Sequence, residues 1–358
     1  MYIRSLYLQN FRNYGEANVE FSPEINLICG PNALGKTTLL EAIHYFMLGR
    51  SFRTNRATDL IHHGKESFLL HTQFAKHNID QRLHISFETG ERKIIYNSTQ
   101  LNHVSGLLGV IQGVVITPDD INLIKGAPVL RRQYLDIQIA QLDPVYVHHL
   151  TRYNRALRHR NHLLKTKQMI TMDGWEHEMA QSAAYIVFQR QRAVLDLQKS
   201  CLDYYAILAG EDEILSLSYK SSVSESKTLQ ELKEAHLNYF HKQRERELRI
   251  GFTVGGPHKD DLFISIGDKE VRHFASVGQQ HSCVAAMHLA EWQRLKDMSG
   301  ETPILMVDDI GISLDESRKK RLLSLLSGMG QVFLTTTDES LLAGGTRLVI
   351  RVPLAPLN

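Results

Sequence analysis

Gly30, Gly35, Lys36 and Thr37 complete a G-x-x-x-x-G-K-T run, and the chemistry of that spacing is the cradling of phosphate. Glycines let the backbone wrap an anion, and a helix starting directly after them offers unpaired N–H groups and a partial positive charge. In such a loop Gly30, Pro31, Asn32, Ala33, Leu34 and Gly35 surround the phosphates of a nucleotide with Thr38, Lys36 reaches the β/γ-phosphates, and Thr37 ligates Mg²⁺. Far along the chain, Pro303 to Asp309 reads PILMVDD, an apolar run ending in two acids. A buried parallel strand delivers such a pair to its carboxyl edge. Asp308 then holds Mg²⁺ through water, and Asp309 orients or deprotonates an attacking water, so that Asp309 and Lys36 carry the catalysis. The other reading is that Asp308 and Asp309 cap the next helix. A third stretch, Ser276, Gly278, Gln279 and Gln280 at the start of a helical pattern, offers a hydroxyl, bare backbone and N–H groups, a second phosphate cradle in kind.

These residues need elements to hold them. Ile25 to Cys29 is short and apolar enough for a fully buried strand, and Thr38 to Leu48 places leucine, isoleucine and phenylalanine at helical spacing. Met1 to Phe21 alternates in pieces and predicts two strands meeting at the polar turn around Asn13 to Gly15, forming with Ile25 to Cys29 a sheet edge that leads into the loop. Phe68 to Phe74, Arg82 to Phe87 and Lys93 to Tyr96 read as an antiparallel layer, and Val114 to Thr117 as a further strand. Proline is absent between Pro144 and Pro257, and only Gly174 and Gly210 interrupt Thr151 to Ile250. That span predicts an all-helical lobe inserted into an α/β lobe. The expected organisation is residues 1–120 and 251–358 as two parts of one head, with 121–250 as the helical insert. Gln331 to Leu334 predicts a late apolar strand, and Leu348 to Val352 an edge strand.

The 358 residues, 43% hydrophobic and 22% charged, are ordinary for a globular chain with a large core. No run approaches a membrane span and the N-terminus has no apolar signal core, so a cytoplasmic protein without membrane contact is expected. Cys29, Cys201 and Cys283 are far apart and predict buried thiols rather than a metal or disulfide framework. A formal net charge of +2 does not select a partner. Locally, RYNRALRHRNHLLKTK over 152–167 carries six Lys or Arg and no acid. It reads either as a solvated helix face or as a nucleic-acid contact. Arg50, Arg53 and Arg56, just past the first helix, either neutralise phosphate or face solvent.

The order of motifs, a phosphate loop, a helical insert, S-x-G-Q-Q, then an apolar strand ending in Asp308 and Asp309 with Leu314 and Asp315 after it, resembles the ABC-type ATPase heads of SMC- and Rad50-like proteins. NFRNY at 10–14, GPNALGKTTLLEAI at 30–43, SFRT at 51–54, TPDDINLIKGAPVLRRQYLD at 117–136, GGPHKDD at 255–261 and SVGQQ at 276–280 narrow the resemblance to the RecF family of bacterial recombination mediators. It implies an α/β P-loop ATPase head with an inserted helical lobe, weak DNA-dependent ATP hydrolysis, and a role in recombinational repair and replication restart. It also implies ATP and Mg²⁺ as ligands, and an ATP-dependent homodimer. Ser276 to Gln280 would be the signature motif acting on nucleotide held by a second copy, with Asp315 in the loop crossing the interface and Arg53 in a basic loop near nucleotide or DNA. Implied partners are double-stranded DNA, junctions bordering single-strand gaps, and other recombination mediators. The helix bearing Arg152, Arg155, Arg158 and Lys165 would line the DNA groove. The chain departs from the family pattern at four places. Ala33 stands where many relatives carry glycine, which requires a negative φ there. Ile312 and Ser313 replace a small residue and an acid, and Thr337 replaces a switch histidine, so slow hydrolysis is expected; no glutamine-loop residue stands out. Two other readings are a metabolic P-loop kinase, which would need no S-x-G-Q-Q, and a structural tether with vestigial hydrolysis, which would carry long heptads.

Overall fold

The computed structural model describes residues 1–210, 213–309, 315–338 and 348–354. The chain divides into two units, the first comprising Met1–Asp120, Tyr204–Glu211 and Val277–Asn358, the second Ile121–Asp203 and Asp212–Ser276.

In the first unit the alternation of the N-terminal residues becomes β1 (Tyr2–Phe11) and β2 (Tyr14–Glu20), an antiparallel pair. With β4 (Ser67–Lys76), β5 (Ile79–Glu88), β6 (Glu91–Tyr96) and β7 (Thr99–Leu101) they form an antiparallel sheet of order β2-β1-β4-β5-β6-β7. A second sheet is parallel throughout, of order β14-β3-β13-β12-β8, from β3 (Ile25–Cys29), β8 (Gly113–Ile116), β12 (Ile304–Val307), β13 (Val332–Thr336) and β14 (Leu348–Arg351). The expected joint edge of the first two strands with Ile25 to Cys29 is therefore corrected: they lie in different sheets. The residue pattern gives the reason. β1 and β2 alternate buried with exposed positions, whereas β3 is buried at every residue, as a central parallel strand must be. Its one polar member, Asn26, is satisfied by Ser22 N–H and by the carbonyls of Ser22 and Glu24.

Helix α1 (Lys36–Leu48) follows β3 and is buried at all of its residues except Thr37. Two sheets explain this. Phe11, Phe68 and Tyr45 form an edge-to-face cluster at 5.3–6.5 Å between the antiparallel sheet and α1, while α1 also packs on β8 and β13 of the parallel sheet. A helix buried all round is the consequence of having no solvent side. Helices α8 (Val277–Ser299) and α9 (Glu316–Leu326) complete this unit with the last turns of α5 (Met172–Ala209).

The second unit holds α2 (Asn122–Lys125), α3 (Pro128–Ala140), α4 (Pro144–Thr166), most of α5, α6 (Leu229–Ile250) and α7 (Val271–Phe274). Helix α4 starts with Pro144 in its first turn and Asp143 capping Val145 N–H at 2.9 Å; α6 starts on Thr228, which accepts from Glu231 N–H at 3.2 Å, and stops at left-handed Gly251. This lobe is not all-helical as the sequence predicts. β9 (Leu215–Lys220) pairs with β10 (Asp261–Ile266), which pairs with β11 (Lys269–Glu270). The stretch 251–276, expected with the head, accordingly belongs to this unit. Arg131 of α3 fixes it there through two bonds to Asp261 at 2.7 and 2.8 Å.

Candidate functional site

Because all five strands of the second sheet run parallel, their carboxyl ends share one edge, where open α/β sheets bind ligands. β3 leads into Gly30 and β12 into Asp308, β13 ends in Thr335 and Thr336, and β13 lies between the other two. The loop from Gly30 to Gly35 turns the chain into α1, and its glycines are required: Gly30 has φ +154° with Val352 O 2.5 Å from where a Cβ would stand, and Gly35 has φ +101° packed against Asn13 and Tyr14.

The motifs converge here across more than 270 positions. Thr37 Oγ1 donates to the Asp308 carboxylate at 2.9 and 3.0 Å, Thr335 Oγ1 donates to Asp308 Oδ1 at 2.6 Å, and Asp309 N–H donates to Thr335 Oγ1 at 2.7 Å. Lys36 Nζ lies over its own loop, donating to Gly30 O at 2.7 Å and Pro31 O at 3.0 Å. Lys36, Thr37, Asp308, Asp309 and Thr335 line a cleft of about 750 Å³. Asn32, Ala33, Gly35, Thr38 and Arg53 line it as well. Burial first, then the neighbouring Asp308 charge, raises the Asp309 carboxyl above the usual aspartate range, with Lys36 opposing. A proton is thus bound more readily there, as suits a group that takes one from water. The helix-cap reading of the two acids does not fit, because α9 is capped by Asp315, whose Oδ1 accepts from Arg318 N–H at 2.9 Å.

Sequence reasoning assigned no chemistry to Arg12, Asn13, Tyr14 or Thr335. Arg12 forms a fork on fully buried Glu41 at 2.6 and 2.9 Å, joined by Ser51 Oγ and, at 3.7 Å, by Arg53. Arg12 and Arg53 thereby stand at the cleft wall sharing one carboxylate of α1, which offsets only one of their two charges. Tyr14 donates to Gly35 O at 3.3 Å, and burial pushes its phenol up to about 12. The signal available was NFRNY itself, a polar cluster at a strand turn. Of the three arginines after α1, Arg53 alone lines the cleft among the described residues.

Ala33 corrects an expectation: its φ is +67°, not negative. Gly278 and Gln279, in the first turn of α8, do not line this cleft, and Ser276, the residue before that helix, falls in the other unit. Ile312, Ser313 and Leu314 lie outside the described residues, and Thr337 is exposed just after β13. On α4, Arg155, Arg158 and Lys165 are exposed, but Arg152 is paired with Glu178. Arg160 is fully buried between Glu176 at 2.9 Å and Glu247 at 2.6 Å, so part of the basic run is internal. The three cysteines are buried thiols, and no helix among the described residues is long and apolar enough to cross a membrane.

The family model of the RecF/RecN/SMC N-terminal domain matches residues 2–353. The DNA replication and repair protein RecF of Protochlamydia amoebophila is 58% identical over 96% of both chains. The chain belongs to the RecF family. RecF of Chlamydia caviae is 37% identical over 94% of this chain and 92% of its own. Among solved structures, the recombination mediator protein RecF of the RecFOR pathway aligns as RecF-ATPrS with TM-score 0.91, 29% identity and coverage of 98% and 96%, and as RecF-ATP with 0.88, 31%, 95% and 92%. The Smc head domain of Pyrococcus furiosus shares the fold, at TM-score 0.56 and 18% identity over 96% of this chain and 92% of its own. The architecture is that of an ABC-type ATPase head.

Proposed function

We propose that the cleft binds ATP with Mg²⁺, that bound nucleotide joins two copies of the chain, and that the pair clamps DNA beside single-strand gaps until slow hydrolysis releases it. The observation that carries this reading is the junction of Thr37, Asp308, Asp309 and Thr335 beside Lys36. A phosphate loop alone would bind nucleotide; a loop joined to two acids with unequal surroundings also has the means to cleave it. Thr37 Oγ1 and the Asp308 carboxylate are hard oxygen donors already turned to one another, a set that suits Mg²⁺. Mg²⁺ held there supplies neutralisation of phosphate charge. The backbone from Gly30 to Thr38 wraps the phosphates, Lys36 exchanges its carbonyl partners for them, and Asp309 positions water and takes its proton. The signature stretch Ser276, Gly278 and Gln279 serves the nucleotide of a second copy, in keeping with its absence from the cleft lining. The names of the relatives support a role in DNA replication and repair and in recombination mediation, which this reading places in the cytoplasm alongside other recombination mediators.

Asp309→Asn tests this reading, since it keeps shape while removing the base. ATP binding and ATP-dependent pairing should persist, turnover should fall about 10²- to 10⁴-fold, and complexes on gapped DNA should outlast those of the unmodified protein after ATP is diluted away. Equal turnover and equal lifetimes would overturn both the assignment of Asp309 and the hydrolytic release.

A further inference from the structure

Gly278 is a glycine for want of room rather than for backbone freedom. Its φ lies outside the left-handed region, yet a Cβ there would stand 2.1 Å from Arg318 Nη1. The guanidinium of Arg318 therefore rests against the backbone of the S-x-G-Q-Q stretch, filling the space a side chain would take. Arg318 belongs to the first turn of α9, and Asp315 holds it twice: Oδ1 accepts from its N–H at 2.9 Å and Oδ2 from Nη1 at 3.1 Å. The side chain keeps 23% of its surface exposed, and Asp315 keeps 55%. A guanidinium has five N–H donors in a planar fork, and the side-chain bond to Asp315 occupies one of them.

We propose that Arg318 is a phosphate ligand acting between copies: it contacts the terminal phosphate of the nucleotide bound by the partner protomer. The inference rests on the reading that Ser276 to Gln280 faces that nucleotide. An anion arriving at the bare backbone of Gly278 meets the Arg318 guanidinium at contact distance and competes with Asp315 for it, because a phosphate with several oxygens is the stronger partner for a fork. Asp315 is the stand-in anion of the separate protomer. Its release on docking is how Asp315 would register that the partner carries ATP rather than ADP, whose terminal phosphate lies one position short.

The test uses the full chain, with three readouts: affinity of the separate protomer for a fluorescent ATP analogue at low protein concentration, pairing in ATP by sedimentation velocity, and turnover at saturating ATP. Arg318→Ala should leave the affinity of the protomer's own loop within about twofold while weakening ATP-dependent pairing and turnover by about tenfold or more, the size of one charge-assisted bond. Arg318→Lys should restore pairing in part. Gly278→Ala, which pushes the guanidinium away without removing it, should match Arg318→Ala and serves if that variant folds poorly. Arg321→Ala, which removes a charge one turn along α9 where Arg321 bonds Leu208 O at 3.2 Å, should pair normally. Ser276→Arg separates the two levels of the argument. If it pairs in ATP as the unmodified protein does, the signature assignment falls, and the role of Arg318 with it. If it blocks pairing while Arg318→Ala pairs and turns over normally, the role of Arg318 alone is overturned.

Discussion

At the scale of single residues, the phosphate loop shows what a motif specifies and what it leaves open. The types and spacing of Gly30, Gly35, Lys36 and Thr37 follow from chemistry and are legible in the sequence. The conformation of Ala33 is not, because its φ of +67° is set by closure of the loop between β3 and α1. A residue with a Cβ in the left-handed region carries about 1–2 kcal/mol of steric strain, and replacing it with glycine returns about 0.4–1 kcal/mol to the unfolded chain as entropy. Ala33→Gly should therefore raise the unfolding free energy by on the order of 1 kcal/mol or less, measured by urea titration. A lower stability for Ala33→Gly would show that the strain is relieved elsewhere in the loop. Asp309, at φ +55°, sits in the same region and is bound through its N–H to Thr335. Both positions border the cleft, where strain tends to persist because the surrounding structure over-determines it.

Elements divide in the same way. Helices and strands with a strong period, α1, α4, α6, β4 and β5, are legible, and so is the PILMVDD strand. β9 is not, since LSLSYK beside a serine-rich stretch gains its strand character from pairing with β10 forty residues later. The partners that make an element rigid are equally invisible to pattern. Arg12 and Glu41 meet across 29 positions, and His288 of α8 lies between Glu291 at 3.1 Å and Asp120, beyond β8, at 3.4 Å. Burial opposes charge on His288, but the carboxylates, Asp120 first, outweigh it and raise the imidazole to about 10. A histidine raised in this way contributes stability that is fully present below its unfolded value of about 6.5 and is lost as pH rises through about 10. His288→Gln should cost about 3 kcal/mol near pH 6, where it strands the buried Glu291 and takes one partner from the part-exposed Asp120, and the gap to the unmodified protein should narrow steadily toward pH 10. Denaturant titrations across that range check this. A gap that stays constant would mean the imidazole is neutral in the folded protein.

For the whole molecule, the question is how a chain with a formal net charge of +2 holds DNA. Global attraction is negligible, so binding depends on where cations are left unspent. The basic run on α4 separates into three kinds of residue that the sequence could not distinguish: Arg160 is consumed by two buried glutamates, Arg152 by Glu178, and Arg155, Arg158 and Lys165 face solvent. Each phosphate contact contributes about 0.9 to the slope of log affinity against log salt. If the outer face of α4 meets DNA, as the family resemblance implies, Arg155→Glu with Arg158→Glu should flatten that slope by about 2 and weaken binding alike for different sequences. Arg152→Gln should change the slope little, since its charge is already balanced within the chain. Fluorescence anisotropy with ATP on gapped and fully duplex DNA, between 50 and 200 mM salt by order of magnitude, distinguishes the cases. An unaltered slope in the double variant would make this face a solvated one and move the DNA contact elsewhere. A slope that drops as much for Arg152→Gln as for either exposed arginine would mean that Glu178 yields Arg152 to phosphate, so that the ion pair is a reserve opened by DNA.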